Sequence, residues 1–202
     1  MKPSTWCAAI VLAAAAPTVA GQSGALRPPS AFSSIADERE RSQALFAEAG
    51  KVIQSPRCLN CHPVQRRPTQ GDDLHAHMPP MYAGARDHGV PGMPCTTCHG
   101  KSNMATLSKG VASIPGNARW ALAPSSMAWQ GKSLSEICEQ IKDRSRNGGH
   151  SLAEIHEHMA TDPLVAWAWN PGERRVPAPG TQKQLGELVE AWISTGAHCP
   201  PK

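Results

Sequence analysis

The sequence predicts a mostly α-helical, loop-rich fold, and three observations predict it. Three segments in the last third open on a capping residue and carry apolar residues at helical spacing. Nineteen prolines and seventeen glycines in 202 residues require long irregular connections between those helices. A short cysteine–histidine pattern occurs twice, as Cys58-Leu59-Asn60-Cys61-His62 and Cys95-Thr96-Thr97-Cys98-His99. That pattern explains how so loop-rich a chain finds a core.

Each copy is C-x-x-C-H, the attachment signature of a c-type haem. Two intervening residues let both sulfurs reach one edge of a porphyrin and add to its two vinyl groups. The following histidine then falls under the iron as its proximal ligand. A zinc site and a thioredoxin-like dithiol are the competing readings. Zinc wants four closely arranged ligands, and it does not account for a histidine directly after both pairs. The expected cofactors are two covalently attached c-type haems, held by Cys58, Cys61 and His62 and by Cys95, Cys98 and His99. The helices are expected to pack around them.

Along the chain, residues 1–20 read as a secretory signal. Lys2 is the only charge before the small and apolar run Ala8 to Ala16, and Thr18-Val19-Ala20 offers small residues for cleavage. Pro17 ends that run short of the roughly 20 residues a spanning helix needs, and no other segment could cross a membrane. Residues 21–35 read as a flexible leader and 36–202 as the di-haem domain. A first helix is expected from about Asp37 to Gln54, with Leu45, Ala49, Val52 and Ile53 as its apolar stripe and Pro56 as its stop. Residues 63–94 have no sustained period, and a second irregular stretch runs from the second motif to about Gly131. No strand hairpin is expected.

Ser133 and Glu136 form a capping box before Leu134, Ile137, Cys138 and Ile141, with Asn147-Gly148-Gly149 as the stop. Ser151 and Glu154 open a second helix carrying Leu152, Ile155 and Met159. Residues 170–180 are a Pro/Gly loop, and Thr181 then opens a helix with Leu185, Leu188, Val189, Trp192 and Ile193 on one face. Once the signal and the haem cysteines are set aside, Cys138 and Cys199 remain. An even remainder in an exported chain points to a disulfide.

The sixth ligands to the irons must come from later in the chain than Cys58, because no histidine lies between the signal and that cysteine. His75 and His77 are two residues apart, so in an extended loop only one is expected to reach an iron. His77 is preferred. Met127 lies just before a helix, where many small c-type cytochromes take a thioether ligand; filling a core gap is the plainer role. His158 competes with it, and His156 falls with the apolar face of its helix. Asp72-Asp73 reads as a solvated turn. Trp167 and Trp169 read as haem shields or core fillers, and Arg144, Arg146, Arg174 and Arg175 as propionate partners or surface.

Several stretches carry a resemblance: Pro68-Thr69-Gln70-Gly71-Asp72-Asp73, His88-Gly89, Leu122-Ala123-Pro124-Ser125-Ser126-Met127-Ala128-Trp129 and Arg146-Asn147-Gly148-Gly149. Glu157-His158-Met159, Leu164-Val165-Ala166-Trp167-Ala168-Trp169 and Pro179-Gly180-Thr181-Gln182 continue it. Together they resemble small exported proteins labelled isoquinoline 1-oxidoreductase subunits, over most of the chain after the signal. The two haem motifs alone resemble c-type cytochromes at large, which implies a cytochrome c-like arrangement of helices. The first resemblance implies a cytochrome partner to a molybdenum-containing hydroxylase, and its pattern includes both His158 and Met127.

The expected function is periplasmic electron transfer from a dehydrogenase or molybdenum hydroxylase to a downstream acceptor, with no catalytic residue of the chain's own. A di-haem enzyme of the peroxidase or thiosulfate-oxidising type, with one open iron, is the alternative. A haem-based sensor would need a signalling domain, and none is visible. Removing Lys2 with the signal takes the formal charge from +4 to +3, too mild to argue for nucleic acid. There is no Gly-rich phosphate loop and no nucleophile motif.

Overall fold

Helix α1 (Glu38–Ile53) starts where Asp37 accepts a hydrogen bond from the Glu40 amide. Its apolar stripe of Leu45, Phe46, Ala49, Val52 and Ile53 is buried. The computed structural model describes residues 24–107 and 113–202. The expected signal, 1–20, lies outside them.

A one-turn helix, α2 (Pro56–Leu59), follows directly and carries the first cysteine motif. Both predicted capping boxes are formed, at Ser133 for α3 (Leu134–Lys142) and at Ser151 for α4 (Leu152–Thr161). A one-turn α5 (Pro163–Ala166) leads to the Pro/Gly loop. Thr181 then caps α6 (Gln182–Ser194) through the Gln184 amide. Helix α6 is the centre of the core. It packs on both α1 and α4, and its Trp192 meets Phe46 at 4.7 Å. The α4–α6 approach is close: a Cβ on Gly186 would lie 2.7 Å from that of Ala160.

Cys138 and Cys199 form a disulfide that ties α3 to the C-terminal tail across 61 residues. The chain-entropy model gives such a loop about 4 kcal/mol.

Three sequence expectations change. The stretch read as a flexible leader is packed from residue 26 onward. Leu26 and Phe32 are buried in the core, and Arg27 bonds Glu48 through its backbone amide and its side chain. A leader whose large apolar residues are only Leu26, Phe32 and Ile35 has no period to reveal this. Helix α3 ends at Lys142, well before Asn147-Gly148-Gly149, and a turn from Asp143 carries the chain onward.

The irregular middle holds three antiparallel ribbons of two residues per strand: β1 (Thr69–Gln70) with β2 (His75–Ala76), β3 (Gly89–Val90) with β4 (Met93–Pro94), and β5 (Met104–Ala105) with β6 (Ser113–Ile114). Strands this short show no alternation. The signal available was Pro91-Gly92, with Gly92 at φ +83° closing the β3–β4 turn. Among the described residues no helix is long and apolar enough to cross a membrane.

Glu48 is a buried acid in α1, bonded by Lys51 and Arg27. Burial pushes its carboxyl up, but those partners outweigh burial and hold it below the ordinary 4.5. A depressed folded value means the contribution is complete above pH 4.5 and fades as pH falls through the lower folded value. Glu48→Gln should therefore lower stability near neutral pH by about 1–2 kcal/mol. Denaturation series from pH 7 to 3 should show the gap to the parent closing at the acid end. A constant gap across that range would show that the carboxylate charge plays no part.

Candidate functional site

Pro56 starts α2, and the helical turn it begins brings Cys58, Cys61 and His62 to one side. The Cys61 amide bonds the Cys58 carbonyl, and the His62 amide reaches the carbonyls of Cys58 and Leu59. The second motif repeats this shape. After Pro94, the amides of Cys98 and His99 both bond the Cys95 carbonyl. All four cysteines are free thiols. Burial first, then Cys61, pushes the Cys58 thiol up to about 12, and burial pushes Cys61 up to about 11. Both therefore stay uncharged.

Both motif histidines are held in the same way. His62 Nδ1 donates to the Met127 carbonyl at 2.7 Å, and His99 Nδ1 donates to the Pro115 carbonyl at 2.8 Å. Each ring lies flat on a tryptophan: His62 on Trp129 at 3.5 Å, His99 on Trp120 at 4.6 Å. Burial lowers the affinity of both imidazoles for a proton, with His62 brought down to about 4. The neutral ring, with Nδ1 engaged, presents Nε2 as a lone pair for a metal.

The first motif opens on a cavity of about 560 Å³. That is within the roughly 300–1,000 Å³ of small-molecule and cofactor sites. Its walls are largely apolar and include Ile53, Leu122, Ile141, Ile155, Val165 and Leu185. His158 and Met159 of α4 also line it. His158 is exposed, and its Nδ1 lies 3.1 Å from an Asp162 carboxylate oxygen. Asp162 is fixed in turn by Arg119 and the Leu164 amide. A carboxylate on one ring nitrogen orients the other, as around metal-bound histidines.

The second motif opens on a smaller cleft of about 180 Å³. That is too small to enclose a porphyrin, so a ring bound there would keep an exposed edge. Met78, Tyr82 and Met93 form its open rim and are themselves exposed. His77 stands in this cleft with its ring 5.9 Å from that of His99. Its Nδ1 donates to the Pro79 carbonyl at 2.8 Å. The two rings are tilted 57° to one another.

Of the candidate ligands, His77 and His158 thus share cavities with His99 and His62. Met127 is buried in the first cavity wall, but its carbonyl is the acceptor for His62. That places its backbone at the Nδ1 edge of the His62 ring. His75 is committed to Asp73 and Gln70 at the surface. His156 packs toward α6, with Nε2 3.9 Å from a Cβ built on Gly186.

The two cavities share a wall. Trp120, Ala121 and Leu122 line both, and a narrow space of about 70 Å³ lies between them. Trp120 meets Trp167 edge-on at 5.0 Å, and Trp167 faces the first cavity, while Trp169 bonds the Pro179 carbonyl.

Sequence reasoning missed three features here. Trp120 and Trp129 were not singled out as supports for the histidines. Arg57 was passed over, although a charge wedged between Pro56 and the first cysteine was the available signal. Asp72, read as solvated, pairs with Arg57.

Among the described residues, no group of three or more His, Cys, Asp or Glu is placed to hold a bare metal ion. No protein-family model matches the chain, and no curated protein or solved structure is significantly similar to it.

This arrangement separates the cysteines into two chemical classes. In protein made without haem attachment, alkylation under denaturing, non-reducing conditions should label Cys58, Cys61, Cys95 and Cys98 and spare Cys138 and Cys199. Protection of a motif pair would mean that it is oxidised, and labelling of Cys138 and Cys199 would contradict the bridge.

Proposed function

We propose that the chain is a periplasmic di-haem cytochrome c. It carries electrons from a dehydrogenase or molybdenum hydroxylase to a downstream acceptor. The observation that supports this best is a repetition. Twice, a pair of free thiols lies beside a neutral histidine pinned through Nδ1 to a backbone carbonyl, and a second histidine enters the same cavity. One such arrangement could be a dithiol; two with the same supports fit two haems.

Cys58, Cys61 and Cys95, Cys98 would hold the two groups covalently, with His62 and His99 as proximal ligands. His158 and His77 are the proposed ligands on the opposite sides. Haem iron supplies the one-electron ferric–ferrous couple, at a potential set by axial ligands, burial and hydrogen bonding. The protein's part is to orient four imidazoles, to keep those of His62 and His99 neutral, and to surround the first site with apolar walls. The second site keeps an open edge, where electrons would enter or leave.

Met127 becomes a support for His62 in this reading. With imidazole pairs at both sites, the two potentials differ through burial and local charge. A methionine ligand at one site would add a further rise.

Carbon monoxide discriminates the ligands. The ferrous protein should be unreactive toward it, because neither iron has an open position. His158→Ala should admit it at one haem and His77→Ala at the other, each at one equivalent, while Met127→Ala should stay low-spin. Reactivity of Met127→Ala with inertness of His158→Ala would return the ligand to the methionine. Stoichiometric binding by the unmodified protein would favour the open-iron enzyme over the carrier.

A further inference from the structure

We infer that Arg57, with Arg175 beside it, forms a carboxylate-binding site between the two cavities and holds a haem propionate there. The inference rests on the di-haem reading above.

The Arg57 side chain is 1% exposed. Its Nη2 donates to the Gly71 carbonyl at 3.0 Å and to Asp72. Its Nε and Nη1 are buried without a hydrogen-bond partner. A guanidinium cannot shed its charge in a protein, and buried donors of a charged group are costly to leave unmet. Arg57 lines both the first cavity and the narrow space between the cavities.

Arg175 lines that same space and the second cleft, where it donates to the Ser113 hydroxyl and carbonyl at 2.7 Å and to the Pro171 carbonyl at 3.0 Å. The two guanidiniums oppose each other electrostatically, and Asp72 acts on both. Two positive charges against one carboxylate leave this cluster a net +1 beside both cavities. Asp72 is itself 40% exposed, so it neutralises the cluster weakly.

The unused donors of Arg57 call for oxygen acceptors carrying negative charge. A porphyrin with two carboxylate side chains, seated beside Cys58, brings that chemistry. A free carboxylate from solvent would bring it too, and the test separates the two sources. As a positioning residue, Arg57 would fix how the ring sits and favour the reduced form, because a nearby cation opposes the extra positive charge of ferric iron.

The test uses the mature haem-loaded protein, with haem content, midpoint potentials and redox-difference infrared spectra as readouts. Arg57→Met should keep two haems. At the parent midpoint, the reduced-to-oxidised ratio of one haem should fall about tenfold, which is about 59 mV for a one-electron couple. Asp72→Asn should move that ratio the other way. Arg57→Lys should shift it less than methionine does, yet still change the carboxylate stretching bands, since an ammonium cannot copy the fork.

Unchanged midpoints and carboxylate bands in Arg57→Met would overturn the inference and leave Arg57 as a partner of Asp72 alone. If that variant fails to mature, unchanged midpoints and carboxylate bands in Arg57→Lys overturn it equally. A midpoint of the parent protein that follows acetate concentration at constant ionic strength would assign the site to a free anion instead. Fewer than two haems in the parent protein would defeat the di-haem reading itself, which is a distinct result.

Discussion

The bond from His62 Nδ1 to the Met127 carbonyl joins residues 65 positions apart, and much of the architecture follows from it. To bring that carbonyl to the ring, the segment around 123–130 folds back over the first motif. The amides of Ala123, Trp129 and Gln130 bond the carbonyls of Cys61 and His62, and Trp129 slides flat against the imidazole. Ser133 is thereby set to start α3, whose Cys138 is bridged to the tail after α6. The same bond takes the Nδ1 proton out of play. Without it, a ring this desolvated could settle in either tautomer, and its Nε2 would not be reserved for a ligand.

The second site uses the same device with less enclosure. Its histidine is held by a prolyl carbonyl and a tryptophan, but the ribbons around it bury little. Met78, Met93 and Tyr82 stay exposed at its rim. The pair therefore combines a larger site framed by α3, α4 and α6 with a smaller one built on loops. Trp120 stands in the shared wall, stacked on His99 and in edge contact with Trp167, which faces the first cavity. One larger, apolar-walled site and one smaller site with an exposed rim suit a short electron path with a docking end. That is the physical sense of the proposed carrier.

How much of this could be read from the chain depends on how local each cause was. The capping boxes at Ser133 and Ser151 and the cap at Thr181 are decided within four residues, and the helices start where those residues stand. The spacing of the two motifs likewise placed both thiol pairs and both histidines. The cysteine bridge followed from parity once the chain was read as exported.

The bond that the Met127 carbonyl makes to His62 could not be foreseen, because a side-chain pattern says nothing about carbonyls. The contacts of Arg57 with Gly71 and Asp72, and its nearness to Arg175, are set by distant parts of the chain, so its place between Pro56 and Cys58 marked the residue without revealing the role. The packing of Leu26 and Phe32 has the same origin. It is dictated by the surface that α1 and α6 leave open, not by any period in residues 21–35.

The central claim is that each cysteine pair carries a covalent haem, and the intact mass of the exported, purified chain tests it most directly. Expressed with a haem-attachment system, the protein should show the mass of the mature polypeptide plus two haems. Digestion should place one on the peptide containing Cys58 and Cys61, and the other on the peptide containing Cys95 and Cys98. A chain of bare polypeptide mass, with its motif cysteines free or paired as disulfides, would contradict the account.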